Sequence, residues 1–274
     1  MRSAEIQRDR LRPVTSRGNA LVKALRQAAT RGEASDDGWV ALEGVRLVEE
    51  ALRSGLRLRA IFFRESAAAV AKRLLPQVSA KTEALMLPDE VFAGASGTEN
   101  PQGVAALAEP RKSSLEEMLK GDSPLIMAAA GVQDPGNLGT MLRSAEAFGA
   151  SGALLLEGTV SPFNAKVLRA AAGSLFRLPV VAMKASAALA AMRQHQVRLL
   201  VTSSHKGTPL PETDLKGPLC IFIGNEGAGV PRQIADAVDA AVVIPHSRDV
   251  ESLNAGVAAA ILLYEAARQR RLAD

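Results

Sequence analysis

A chain of 274 residues that is 47% hydrophobic and 23% charged can bury two modest cores or one large one, and lacks the apolar-poor, charge-rich bias of a disordered protein. Its single cysteine, Cys220, excludes an intrachain disulfide; inside an apolar run it reads as packing in a reducing compartment, not as a nucleophile. Residues 1–34 hold no signal-peptide-like apolar core and nowhere do eighteen apolar residues run unbroken, so the expectation is a cytoplasmic protein with no membrane partner.

Charge is uneven along the chain. Residues 1–34 carry seven arginines and Lys23 against Glu5, Asp9 and Glu33, while the whole chain is only +4, so the positive excess is local. This basic arm, residues 1–35, leads into the helical-looking LVKALRQAA, with Thr15 and Ser16 as candidate caps. Arg12, Arg17, Lys23 and Arg26 suit contact with phosphate, although a solvated, frayed terminus would carry the same charges. One Trp, one Tyr and seven Phe are too few for a base-stacking platform.

Residues 36–110 alternate. Strand-like runs at Trp39–Leu42, Leu58–Phe63, Ala84–Leu87 and Gly103–Ala108 are interleaved with helical spacing at Val45–Leu52 and Ala67–Leu75. Pro88 and Asp89 read as a turn. The pattern implies a small layered α/β domain. EPRKSSLEEMLKGDSP, from Glu109, reads as a linker with a short helix in it, which puts the domain boundary at residues 111–123.

The second domain, residues 124–274, opens with a buried-strand run at Leu125–Ala130 and the loop Gly131 to Gly139, then a helix from about Asn137 to Phe148 that ends at Gly149. Asn137 and Arg143 are six apart and not one turn away, but both lie near the loop and could reach one substrate. Further strands are expected at Ala153–Leu156, Val197–Thr202, Leu219–Ile223 and Ala240–Ile244, which makes a parallel α/β sheet the natural architecture. The turn Gly224-Asn225-Glu226-Gly227-Ala228-Gly229 has three glycines in six positions, letting backbone groups approach a ligand. A long helix is expected to begin near Ser252, with Ser252 as its cap, so two strand ends and one helix start outline a cofactor pocket.

His195, His205 and His246 lie far apart, with no cysteine or carboxylate cluster at metal-ligand spacing, so no metal is expected. The glycine turn runs G-x-x-G-x-G and not G-x-G-x-x-G, which makes dinucleotide chemistry a minority reading. No Gly-x-Ser-x-Gly elbow supports a hydrolase.

Three segments in order, DPGNLGTMLRSAEAFG (134–149), IGNEGAGV (223–230) and IPHSRDVESLNAGVAAAILLYE (244–265), resemble the SpoU/TrmH family of RNA ribose methyltransferases within the SPOUT class. FNAKVLRAAAGSLFRLPV (163–180) is similar to it as well, and SRGNALVKALRQ and EGVRLVEEAL resemble a substrate-binding domain like the kink-turn-binding ribosomal proteins. The resemblance implies an α/β fold with a C-terminal trefoil-knotted parallel-sheet domain, one of the rare exceptions to unknotted topology. It also implies a homodimer, S-adenosyl-L-methionine as methyl donor, and a ribose 2′-hydroxyl of ribosomal RNA, otherwise transfer RNA, as acceptor.

By position, the resemblance assigns catalysis to Asn137, Arg143, Glu226, Ser252 and Asn254. It assigns cofactor binding to Thr202, Ser203, Gly224, Asn225, Glu226, Gly229, Ile244, Pro245, Ser252 and Leu253; Arg17, Lys23, Arg26, Arg46 and Arg169 are the expected RNA contacts. The family's dimer brings the arginine of one subunit toward the cofactor of the other. A guanidinium keeps its proton at ordinary pH, so Arg143 is better suited to hold phosphate and stabilise an oxyanion than to act as base, with the proton leaving through Ser252, Asn254 or water. Many relatives have Val-Ser where this chain has Ala255-Gly256. The alternative is a catalytically silent RNA-binding or ribosome-assembly protein on the same fold; the presence of all five catalytic positions argues for the enzyme.

Overall fold

The computed structural model describes residues 10–98, 100–204, 206–225, 227–247 and 249–271. In chain order its elements are β1 (Leu11–Pro13), α1 (Ala20–Arg31), β2 (Val40–Glu43), α2 (Val45–Arg53), β3 (Leu58–Arg64), α3 (Ala68–Leu74), β4 (Glu83–Leu87), α4 (Asp89–Ala95), β5 (Val104–Ala108) and α5 (Leu115–Met118). There follow β6 (Leu125–Ala130), α6 (Pro135–Ala147), β7 (Gly152–Leu155), α7 (Ala165–Ala171), β8 (Val180–Ala182), α8 (Ala185–Gln194), β9 (Arg198–Ser203), β10 (Thr208–Pro209), β11 (Leu219–Gly224), α9 (Arg232–Ala235), β12 (Ala240–Val243) and α10 (Ala255–Arg271).

The chain forms two units. The first takes in the described residues up to Arg111 together with Ser161–Phe176; the second holds Lys112–Val160 and the chain from Arg177 onward.

In the first unit a mixed sheet of order β1-β4-β3-β5-β2 carries α1 and α4 over a core of Val22, Leu25, Ala28, Phe62, Leu85 and Phe92. The chain from Arg10 is not a free arm, because Leu11–Pro13 pairs parallel with β4, Val14 is buried, and Arg12 is held by Glu83 at 3.0 Å. Arg12 is thereby neutralised by a neighbour. Helix α1 is capped by neither Thr15 nor Ser16: Asn19 Oδ1 accepts from the Leu21 amide at 3.0 Å, and the Ser16 hydroxyl instead accepts from Gly18. At the other end Gly32 takes the left-handed conformation (φ 62°), and a Cβ there would meet the Asn164 Cα at 3.2 Å. Pro88 and Asp89 do not form a simple turn; they open α4.

Strand β2 is the edge of this sheet, and α7 packs against it, which removes an exposed edge from solvent. Thus a segment that follows β7 in the chain is built into the first unit. Its exit is tight: Ala172 (φ 49°) and Gly173 (φ 92°) are both left-handed, and a Cβ on Gly173 would lie 3.0 Å from Glu50 Cβ.

The second unit is an all-parallel sheet of order β10-β12-β9-β11-β6-β7-β8. Its central strands β6 and β11 are buried along their whole length, as their unbroken apolar runs require of strands covered on both faces. Cys220, fully buried on β11, has its thiol pushed up by desolvation, which suits a packing role. Helices α6 and α10 lie against each other. Gly256 makes this approach close, since a Cβ there would sit 3.1 Å from Thr140 Cβ and Cγ2. The end of α10 is fastened by polar contacts: Arg270 donates to the carbonyls of Ser123, Leu215 and Gly217, while Gln269 bonds the Leu215 amide and the Thr213 carbonyl.

Candidate functional site

At the carboxyl ends of β9, β11 and β12 the second unit opens into a cavity of about 610 Å³, the usual place for a ligand in a parallel sheet. Thr202 and Ser203 line it from β9, Gly224, Asn225 and Gly229 from the glycine turn, Ile244 from the end of β12, and Ser252 and Leu253 from the lead into α10. Of the residues expected here, Pro245 is exposed and is not among the lining residues, and Glu226 lies outside the described residues.

The turn after β11 explains its glycines. Asn225 and Gly229 exchange backbone hydrogen bonds (2.8 and 3.2 Å), so the chain doubles back on itself. A Cβ on Gly224 would lie 2.2 Å from the Gly229 carbonyl carbon and 2.3 Å from the Val230 nitrogen, so no other residue fits without moving the backbone. The Asn225 side chain secures the turn, its Oδ1 accepting from Gly227 at 2.9 Å and its Nδ2 reaching the Gly131 carbonyl at 3.4 Å.

Beside the cavity two helix starts meet. Asp134 Oδ1 caps α6 by accepting from the Asn137 amide at 2.7 Å. Helix α10 begins at Ala255, three residues later than Ser252, because Asn254 is its cap: Asn254 Oδ1 accepts from Val257 at 3.1 Å. The remaining amide of Asn254 donates to Asn137 Oδ1 at 2.8 Å, and Asn137 is buried. Asn137 and Asn254, far apart in sequence, thus share one contact next to Ser252. Arg143 is on the exposed face of α6 and is not among the described residues lining the cavity.

Several lining residues were not expected from sequence. Lys206, His246 and Glu251 bring charge or titratable groups to the cavity, and His246 Nδ1 is 2.7 Å from the Ile244 carbonyl, so that nitrogen carries the proton. Asp134 had a legible signal, an acidic cap three residues before Asn137. Among the described residues no group of three or more His, Cys, Asp or Glu could hold a metal ion.

Residues 124–264 match the family model described as the SpoU rRNA Methylase family. The chain belongs to this family. Residues 19–106 match an MRM3-like substrate binding domain. The chain is 32% identical over 93% of its length to the 23S rRNA (guanosine(2553)-2'-O)-methyltransferase RlmP of Bacillus subtilis, covering 98% of that protein. Among solved structures it is similar to an RNA 2'-O ribose methyltransferase (32% identity, TM-score 0.78, 95% of this chain and 99% of that one). It is also similar to the AdoMet-bound rRNA methyltransferase of Sinorhizobium meliloti (29% identity, TM-score 0.78, 94% and 98%).

The cavity of this SpoU family member fits S-adenosyl-L-methionine in size and chemistry. Its volume lies in the small-ligand range of roughly 300–1,000 Å³. Val201, Ile223, Val242 and Leu253 supply apolar walls, the turn supplies accessible backbone, and Lys206 and Glu251 offer opposite charges to an amino-acid group.

In the first unit, Arg17, Lys23, Arg26, Arg46 and Arg169 are all exposed. Arg17 leans on the Glu90 carbonyl at 3.5 Å; Lys23 and Arg26 lie on α1, Arg46 at the start of α2, and Arg169 on α7.

Proposed function

We propose that this protein transfers a methyl group from S-adenosyl-L-methionine to a ribose 2′-hydroxyl of RNA, ribosomal RNA ahead of transfer RNA. The observation that carries this is the backbone-walled cavity at three parallel strand ends, bordered by Ser252 and adjoining the Asn137–Asn254 contact. The names of the Bacillus and Sinorhizobium relatives support the ribosomal substrate, and the bound AdoMet of the latter supports the donor.

The donor supplies a methyl group on a sulfonium centre; the chain's own residues supply geometry and charge. The strand ends and the glycine turn hold the donor, so that an acceptor oxygen can be brought in line with it, and that alignment accounts for much of the acceleration. Arg143 grips the phosphate next to the acceptor ribose and stabilises negative charge growing on its oxygen. The proton passes to water, directly or through the Ser252 hydroxyl, while Asn254, engaged by Val257 and Asn137, positions the site. Glu226 remains part of the proposed catalytic set.

Arg143 serves the cavity of a second copy. Its exposure away from the cavity lining supports this reading, as do Val257 and Tyr264, 47% and 55% exposed and seven residues apart on α10, where a homodimer would cover them. In the same proposal residues 36–110, with the helix of residues 20–31 and the segment 161–176 that share their unit, dock RNA, 111–123 link, and the rest of 124–274 forms the knotted transfer domain. No helix among the described residues is long and apolar enough to cross a membrane.

The experiment is transfer of labelled methyl from S-adenosyl-L-methionine into unmodified ribosomal and transfer RNA, with resistance to alkaline cleavage locating the product. A ribose methyl on ribosomal RNA that disappears with Arg143→Ala is the expected outcome. RNA binding without any cofactor binding would instead mark a silent RNA-binding protein.

A further inference from the structure

Within the first unit, six arginines are neutralised at close range: Arg12 by Glu83, Arg31 by Asp36, Arg53 by Glu50, Arg57 by Glu109, Arg64 by Asp89 and Arg73 by Glu49. Lys23, Arg26, Arg46, Lys166 and Arg169 are exposed and have no ion pair or side-chain hydrogen bond among the described residues. Lys23, Arg26 and Thr30 stand at i, i+3 and i+7, one solvent-facing stripe of α1. At the end of that helix Gly32 abuts Asn164, whose Oδ1 caps the start of α7 by accepting from Lys166. Lys166 and Arg169 are then i and i+3 on α7 itself.

A small crevice walled by Ala28 and Ala29 of α1, Glu43 of β2, Leu47 of α2, and Leu168 and Arg169 of α7 shows that the three helices meet around the edge strand. Arg169 lines this crevice, while Lys23 and Arg26 stand on the solvent face of the same α1 whose Ala28 and Ala29 wall it. Arg59, Lys72 and Lys81 are also unpaired, but they lie on β3, α3 and the turn before β4.

We propose that α7 is a second RNA-contacting helix of the substrate-docking unit, in which Lys166 and Arg169 extend the Lys23–Arg26 stripe into one track that follows an RNA phosphate backbone. This rests on the function proposed above. It assigns to RNA docking a helix whose residues fall within the span, 124–264, that matches the methylase family model, and not within the 19–106 match to a substrate-binding domain. The argument is charge complementarity. Cations that no carboxylate pairs at close range keep most of their attraction for phosphate, and each phosphate they neutralise adds to the salt dependence of binding. The helix itself is fixed against β2 between Gly32 and the Gly173 exit, so its two cations are presented by a packed element and not by a loose loop.

The test uses the full chain and an unmodified 23S rRNA transcript as probe. Affinity is measured across a salt series for wild type, for Lys166→Glu/Arg169→Glu, for Lys23→Glu/Arg26→Glu, and for Lys72→Glu/Lys81→Glu as a basic pair elsewhere on the unit. Circular dichroism and thermal melts verify that each variant keeps its fold, and binding of S-adenosylhomocysteine by calorimetry that its cofactor site is intact. The expected result is a loss of affinity of about tenfold or more for each of the first two pairs, with the log–log salt slope shallower by about one to two. Unchanged affinity and slope in Lys166→Glu/Arg169→Glu, or an equal loss in the Lys72/Lys81 pair, would overturn the proposal while leaving methyl transfer intact. Wild type that neither binds nor methylates RNA would overturn the functional reading together with it.

Discussion

Asn254 Nδ2 donates to Asn137 Oδ1 across 2.8 Å and so ties together the first turns of α10 and α6, which are 117 residues apart in the chain. Both asparagines also act locally, since Asn254 caps α10 through Val257 and Asn137 is held by the Asp134 cap. Two helix starts are thus fixed at the cavity rim by one pair of amides.

Replacing Asn254 by Ala removes a cap and leaves the Asn137 carbonyl oxygen without this donor. A loss of about 1–2 kcal/mol, a few degrees in Tm by calorimetry, is expected, with methyl transfer falling much further than cofactor affinity. Asp134→Ala should cost about 1 kcal/mol by the cap alone. Equal losses of activity and of stability in both variants would mean that Asn254 acts only as a cap.

Gly224→Ala places a methyl group inside the returning strand of the turn, 2.2–2.3 Å from backbone atoms. The turn must open, so cofactor affinity measured by calorimetry should fall by more than tenfold while circular dichroism still reports a folded chain. Wild-type affinity in this variant would remove the turn from the binding site.

Arg143→Lys keeps a positive charge but loses the bidentate fork. If Arg143 clamps phosphate, the single-turnover rate drops and its pH profile keeps its shape; if Arg143 were the base, the apparent pKa of the profile would move.

Arg270 is half-buried, with its guanidinium spread over three backbone carbonyls from two loops. Arg270→Ala strands those acceptors and frees the end of α10, and a destabilisation on the order of 2–3 kcal/mol is expected in urea unfolding. Arg271→Ala, at an exposed neighbour, should be close to neutral.

Glu265 and Asp89 contribute to an acid limb of stability, alongside Glu157 and Asp239, which are also held below the ordinary carboxylate range. The hydrogen bond from Arg268 holds Glu265 at about 2 against an ordinary 4.5, and the hydrogen bond from Arg64, helped by the Ser66 amide, holds Asp89 at about 2 against 3.8. Both folded values lie below the unfolded ones, so the unfolded chain binds more protons in this range. Their contribution is complete above about 4.5 and drains away as pH falls toward 2. Thermal melts of Glu265→Gln should show a shallower decline across that window than wild type.

Much of the fold was legible because its signals are local. The unbroken apolar runs of β6 and β11, the start of α6 beside Pro135 and the glycine turn of residues 224–229 depend on near neighbours, and the long motifs around Asn137 and Asn254 pointed to the family. Other local signals were misread: the acidic pair Asp89–Glu90 after Pro88 opens α4, and Asn19 outranks Thr15 and Ser16 because it alone directly precedes the helix.

What remained was decided by contacts between distant segments. Leu11–Pro13 becomes a strand only because β4 offers it an edge, and the two residues of β10 only because β12 does. Residues 161–176 join the first unit because the open edge of β2 needs covering, a demand absent from their own sequence. The site residues follow the same division. The family-like motifs nominate Asn137, Asn254 and Gly224 one by one, but their convergence at one rim depends on strand order in a parallel sheet, which is set by pairing between segments far apart in the chain.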